Sequence, residues 1–335
     1  MLRLFDEKTT GFLFIIIFPF LLFFIAYYGF ESAYVVWLKS AEKAPDFMFD
    51  SVYAYRIIPN FLSVHVTEIL NSVVDNYVPS AKSFLLKNGT IFYHSTFLIN
   101  AFFFVLSSIM LNIILKAGSS DLLQNINIRR IIHLLVVFFI VILQYVPTNC
   151  DLIAIFFYLS GVYCTLRYLK YKRPTDIIML SIIIIISTFV RETACLNIAF
   201  FAAVFFDPKT FKRNDFKFVK EILLLVIAFV LPYAGLRLAI PQEASFFEGV
   251  YFIKNFTSPF NLAGLLFGLI ALYLGYKLCD ETGKHVAKKY IFFSLPYLIM
   301  ITLVGLFWEA RLFLPLILTV IVIASQKFKN DHIQE

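Results

Sequence analysis

Phe189-Val190-Arg191-Glu192-Thr193 lies in the middle of a run, residues 177–206, that is otherwise apolar or uncharged. An ionised side chain at the centre of a bilayer costs about 2.5 kcal/mol or more. The Arg191-Glu192 pair therefore belongs at a membrane surface or in a wet, protein-lined cavity. A membrane-crossing helix needs about 20 residues. Residues 177–206 make either one long tilted helix with a charged waist or two short helices that meet at Arg191 and Glu192. Choosing between these fixes the topology around it.

The class follows from composition. The chain of 335 residues is 60% hydrophobic, holds 41 Phe and 18 Tyr, and is only 15% charged, whereas a soluble domain carries about 25% charged residues. Its apolar stretches are continuous, as in Ile182–Ile186, and do not alternate as barrel strands do. The expected fold is all-α: a polytopic transmembrane helical bundle forming a single membrane domain over 1–335, with no separate soluble domain. The net charge of +7 sits in short loops between apolar runs. It reads as positive-inside bias and not as a nucleic-acid surface. The first apolar run, Phe12–Phe30, is too long for the core of a cleavable signal and reads as a first transmembrane helix.

Basic residues place the loops. Arg3 and Lys8 form one cluster, and Lys116, Arg129 and Arg130 a second. Arg167, Lys170, Lys172 and Arg173 follow, then Lys209, Lys212, Arg213, Lys217 and Lys220. Lys277, Lys284, Lys288 and Lys289 form a fifth cluster, and Lys327 and Lys329 a sixth. All face the cytoplasm only if the chain crosses twice between successive clusters. That condition splits 177–206 at Arg191-Glu192. It also splits 131–166 at Pro147-Thr148-Asn149-Cys150-Asp151, and 291–325 at Trp308-Glu309-Ala310-Arg311. The reading predicts ten crossings, at 12–30, 91–115, 131–146, 151–166, 177–190, 193–206, 222–240, 261–276, 291–307 and 312–325, with both termini cytoplasmic. The first outer loop, 31–90, carries Ile57, Ile58, Phe61, Leu62, Val66, Ile69, Leu70 and Val73 at helical spacing, so an amphipathic helix in the interface plane is expected there. A second outer loop, Pro241–Phe260, holds Glu243, Glu248 and Lys254.

This topology collects Asp50, Arg56, Asp151, Arg191, Glu192, Arg237, Glu309 and Arg311 on one outer face. Arginine forks grip phosphate oxygens bidentately, and a carboxylate takes a proton from a nucleophile. A protein that handles a lipid-linked phosphate needs both. Each residue also has a structural reading. Arg237 near a helix end reads best as snorkelling to the interface. Asp50 suits an N-cap, Asp151 a first-turn acid, and Arg56 a headgroup contact. Glu309 and Arg311, two apart, do not face each other on a helix and suit a hairpin cap. His65, His94 and His133 share no metal-ligand spacing, and the four cysteines form no C-x-x-C. A divalent ion on Asp50 or Asp151 is compatible with the residue types, but no spacing calls for one. No Walker A or G-x-G-x-x-G pattern is present. Asn88-Gly89-Thr90 and Asn255-Phe256-Thr257 are formal glycosylation sequons.

Several of these elements together resemble the GT-C class of integral-membrane glycosyltransferases, in particular small bacterial members. They are an acid after the first transmembrane helix (Asp50), Tyr55-Arg56-Ile57-Ile58-Pro59, a second acid in an outer turn (Asp151), Arg191-Glu192-Thr193, and Glu309-Ala310-Arg311-Leu312-Phe313-Leu314-Pro315. The paired acids usual in the first loop are not evident, since Asp46 and Asp50 are four apart. The resemblance implies transfer of a sugar from a polyprenyl-phosphate donor to a glycan or lipid acceptor, on the outer face of a bacterial cytoplasmic membrane. It makes Asp50 the general base and Asp151 an assisting acid or metal ligand. Tyr55, Arg56, Arg191 and Arg311 would hold the donor, with Glu192 and Glu309 orienting the arginines. Two other readings stay open: a polymerase or ligase of lipid-linked repeats, and a transporter or flippase of lipid-linked sugar.

Overall fold

The computed structural model describes residues 10–30, 33–118, 120, 123–144, 148–206, 218–241 and 250–328, and every regular element among them is helical. Arg3, Lys8, Glu31, Pro147, Lys209, Lys212, Arg213, Lys217, Glu243, Glu248 and Lys329 lie outside the described residues. The first helix, α1, runs Thr10–Gly29. It is followed by α2 Ala33–Ser40, α3 Ile57–Tyr77, α4 Pro79–Asn88, α5 Ile91–Ala117, α6 Ile126–Leu143 and α7 Asp151–Tyr171. Next come α8 Pro174–Thr188, α9 Cys195–Phe205, α10 Val219–Ala239 and α11 Phe252–Thr257. The chain ends with α12 Pro259–Leu278, α13 Glu281–Phe293, α14 Leu295–Val304 and α15 Leu314–Ala324. Short 3₁₀ turns, Glu192–Ala194 and Ala310–Phe313, lead into α9 and α15.

Local chemistry explains the boundaries. The Thr90 hydroxyl accepts from the Tyr93 amide to open α5, and Asn125 and Asp280 do the same for α6 and α13. Proline sits in the first turn of α4, α8, α12, α14 and α15, where its missing N–H costs nothing. Lys172 adopts the left-handed conformation that ends α7 just before Pro174. Pro296 lies at the start of α14, beside the break where α13 and α14 bend by 49°.

Seven helices are long and apolar enough to span a bilayer, or eight if the bent α13–α14 pair is one span. This is the architecture of a multi-pass membrane protein, and it corrects the count of ten. The expected crossings at 177–190, 193–206 and 312–325 are shorter apolar helices, Pro174–Thr188, Glu192–Phe205 and Ala310–Ala324. Charge bookkeeping demands that the chain reverse at Arg191 and near Glu309, but it does not demand long limbs. The 15 residues of α8 rise only about 22 Å, less than the hydrocarbon thickness of about 30 Å.

Helix α3 is among the seven, so its length and composition do not single it out as an interfacial element. Its amphipathicity has the opposite sense to that of a soluble helix. Asn60, Ser63 and Thr67 are buried, while Ile57, Phe61, Ile69 and Val73 are exposed. The polar stripe faces protein: the Thr67 and Ser95 hydroxyls are 2.5 Å apart across the α3–α5 contact.

Helices α5, α7, α9 and α15 form the centre of the bundle, with Phe92, Phe104, Leu159, Phe200, Phe201 and Leu316 fully buried. The hydroxyls of Tyr158, Tyr290 and Thr319 tie α7, α13 and α15 together inside it.

Described members of the basic clusters meet at one end. The Ser120 amide donates to the Ser325 carbonyl. Lys289 Nζ donates to the Phe206 carbonyl at 2.9 Å. Lys172 sits 4.3 Å above the Phe205 ring and 5.0 Å above that of Phe218. The polar turns before α7, α9 and α15 meet at the opposite end of those helices.

Candidate active site

Four helices begin at one place. Arg56 caps α3, Cys150 caps α7, Arg191 caps the turn into α9, and Glu309 caps the turn into α15. None of these four cap residues uses its own side chain on first-turn N–H groups. Other groups answer these ends in part: Asp151 and Glu192 stand in first turns, where acids suit the helix dipole, the Asp151 amide donates to the Thr148 hydroxyl, and the Ile58 amide donates to the Phe189 carbonyl.

Asp151, the first residue of α7 and 3% exposed, is the hub. Arg191 Nη1 donates to its Oδ1 and Arg311 Nη1 to its Oδ2, the latter at 2.8 Å. Arg311 also donates from Nε (3.2 Å) and Nη2 (2.8 Å) to Glu309 Oε2. The helical-spacing argument against a Glu309–Arg311 contact does not hold here. Glu309 lies outside the Ala310–Phe313 3₁₀ turn, with non-helical φ −74° and ψ 71°, so no helical spacing governs where its carboxylate points. Arg56 completes the group: its Nη1 lies 3.3 Å from Cys150 Sγ, its guanidinium lies 4.5 Å from the Tyr53 ring centre, and its buried Nε has no hydrogen-bond partner among the described residues. Burial raises the Cys150 thiol above its ordinary pKa, partly offset by Arg56. Burial alone would weaken Arg191 as a cation, but Asp151 beside it outweighs that and raises its pKa.

Buried amides hold these turns in register. Asn149 Nδ2 donates to Asn60 Oδ1 (3.0 Å), and Asn60 Nδ2 donates to the Met48 and Tyr53 carbonyls at 2.6 and 3.1 Å. This clips the 48–53 segment to the turn before Asp151. On the other side, Asn255 Nδ2 donates to the carbonyls of Thr302 and Gly305, and its Oδ1 accepts from the Phe307 amide. Asn261 accepts from the Trp308 amide at 3.0 Å. Asn255 is fully buried, so the sequon there is closed in the folded protein. Gly264 lets α12 approach the Phe307 carbonyl, where a Cβ would sit 2.1 Å from the oxygen.

Arg56, Asp151, Arg191, Glu309 and Arg311 thus meet as the sequence reading expects. The remaining candidates fall elsewhere. Asp50 is exposed, and its carbonyl accepts from the Tyr53 and Ala54 amides, so it heads the turn that carries Tyr53 to Arg56. Tyr55 stacks on Arg237 of α10, 4.5 Å from guanidinium to ring centre, and Tyr233 covers the same guanidinium at 3.6 Å. Glu192 is half-buried and stays at the edge of the cluster, its charge adding to that of Asp151 in holding Arg191 as a cation. Arg237 is therefore clasped between aromatic rings and does more than snorkel to the interface.

Both oxygens of Asp151 are taken by guanidinium groups, so it stands in the structure as the shared counter-ion of Arg191 and Arg311. No cluster of three or more His, Cys, Asp or Glu side chains suited to a metal occurs among the described residues. The sequence reading did not name Asn60 or Asn261, and it took Asn149 only as a turn residue and Asn255 only as part of a sequon. The available signal was a lone amide beside an apolar run, which needs buried partners.

No family model, curated protein or solved structure matches the chain, so the chemistry of the site rests on its geometry.

Proposed function

We propose that this protein is a membrane glycosyltransferase that moves a sugar from a polyprenyl-phosphate donor to a glycan or lipid acceptor. The observation that carries the reading is the convergence of four helix N-termini with Arg56, Arg191 and Arg311 at a single site. Arg191 and Arg311 are paired with Asp151 and Glu309, and Glu192 adds its charge beside Arg191, so Arg56 is the guanidinium of the three that these carboxylates do not bond. Helix N-termini also favour phosphate. Arg56, with an unpartnered Nε, is the residue best placed to take a phosphate oxygen. Asp151 acts as the anchor that fixes Arg191 and Arg311, and Glu309 orients Arg311. The departing phosphate gains negative charge in the transition state, and prepositioned cations stabilise that charge most.

Asp50, exposed beside this turn, is the general base for the acceptor hydroxyl. The basic end faces the cytoplasm under the positive-inside rule, with the terminal segments, and the arginine site opens on the outer face of a bacterial cytoplasmic membrane. Helix α3 lies against the outer leaflet and guides lipid to Arg56.

The test compares lipid-linked and surface glycans by mass spectrometry in cells with and without the protein. A loss of one sugar is expected. Asp50→Asn should reproduce that loss at normal expression and unchanged thermal stability. Unaltered glycans in the deletion would overturn the transferase reading, and full activity in Asp50→Asn would remove the base.

A further inference from the structure

Asn60 lies in the first turn of α3 and is buried. Its side-chain nitrogen donates to two main-chain carbonyls, Met48 at 2.6 Å and Tyr53 at 3.1 Å. Those carbonyls lie on either side of Asp50 in the chain. A carbonyl only accepts, so the Asn60 nitrogen faces them and its oxygen faces away. That oxygen accepts from Asn149 Nδ2 at 3.0 Å, and the same nitrogen donates to Ser63 Oγ at 3.2 Å. The direction is therefore fixed, from Asn149 through Asn60 to the Asp50 turn. Neither amide flips without setting two oxygens against each other.

The other polar groups on the buried stripe of α3 behave differently. The Ser63 and Thr67 hydroxyls donate to the Pro59 and Ser63 carbonyls of their own helix. Asn60 instead joins two other segments, and it does so beside the cluster. Asn149 precedes Asp151 by two residues. The Asn60 amide donates to the Arg56 carbonyl at 3.1 Å, and the Ile58 amide to the Phe189 carbonyl, two residues before Arg191, at 3.3 Å. The first turn of α3 thus touches the Asp50 turn and the turns that carry Asp151 and Arg191.

We infer that Asn60 is a positioning residue: it holds Asp50 at one separation from the Asp151–Arg191–Arg311 cluster, so that base and guanidiniums engage one substrate together. The inference rests on the proposed function for the role of Asp50. A displacement of about 1 Å is enough to cost about a hundredfold in rate.

The experiment uses the full chain in proteoliposomes. The donor is a farnesyl phosphate carrying the sugar that the deletion strain loses. Asn60→Leu keeps the side-chain volume and removes both donors. It should lower kcat about tenfold or more and leave the donor KM within about twofold, because Arg191 and Arg311 keep their pairing through Asp151. Hydrogen–deuterium exchange supplies a reading that needs no turnover. In Asn60→Leu the Tyr53, Ala54 and Arg56 amides, which close the Asp50 turn, should exchange faster. The Leu312 amide, bonded to the Glu309 carbonyl, should not change. Should Asn60→Leu fail to fold, Asn149→Leu cuts the same chain one step earlier and should show the same fall in kcat at constant KM. An unchanged kcat, a KM that rises in step with the loss, or unchanged exchange over 53–56 would make Asn60 a packing amide and overturn the inference. The two readings fail separately. A wild type without transfer sinks the transferase, and exchange still decides whether Asn60 holds the turn. Full transfer by a folded Asn60→Leu sinks the positioning role and keeps the transferase.

Discussion

Helices α7 and α10 are both 21 residues long, and both reach the same charged end. Helix α7 delivers Asp151 from its first turn, and α10 delivers Arg237 from its last. Yet 67% of the apolar window of α7 is buried inside the protein, against 17% for α10. On α7 every special residue is enclosed: Asp151 between two guanidiniums, Gly161 against Asn197, Tyr158 against Tyr290 and Thr319. On α10 the special residues, Pro232, Gly235 and Arg237, are at most half-buried. The difference separates a fixed half of the site from a half open at the protein surface. Ion pairs in the fixed half set geometry, while the open half offers empty volume.

The sharpest break in this contrast comes from the anchor. Asp151→Ala leaves Arg191 and Arg311 buried without their shared partner. Removing one member of a buried ion pair costs about 3–5 kcal/mol, so the variant should melt far below the wild type in detergent or lose expression. A thermal shift near zero would mean that water reaches the cluster freely and that α7 is not fixed.

A matched pair of glycines tests the same contrast more finely. In Gly161→Ala the new Cβ sits 2.5 Å from the Asn197 side chain, and overpacking of this kind costs about 1–3 kcal/mol. The identical change at Gly235 meets open space and should stabilise α10 by about 0.5–1 kcal/mol. Parallel melting curves should therefore move in opposite directions. Curves that move the same way would erase the distinction between the two helices.

Much of this was legible before the structure, for one physical reason. Charges inside apolar runs are costly, so Asp151, Arg191, Glu309 and Arg311 were conspicuous, and the positive-inside pattern already assigned them to one end. What the sequence hid were the pairings. Asp151 and Asp50 look equivalent as acids in outer loops, but only the fold shows that one is saturated by guanidiniums while the other is exposed. Arg237 looked like a snorkelling residue because nothing in the sequence of α10 announces that Tyr55 stacks against it. The crossing count failed where charge dictated a reversal but could not dictate helix length. Gly161 and Gly235 are indistinguishable as letters inside apolar helices; their neighbours come from other parts of the chain.

The amide of Asn255 leads in a different direction. Every hydrogen bond it makes goes to the segment just before Glu309, and its side chain is sealed. A eukaryotic expression host that exposes this loop to its glycosylation machinery reads Asn255-Phe256-Thr257 during synthesis, before those bonds exist. A sugar added then would hold the segment permanently out of place. Material produced in such a host would divide into a competent, unmodified fraction and a heavier, dead one, and a lectin column would separate the two without any activity assay.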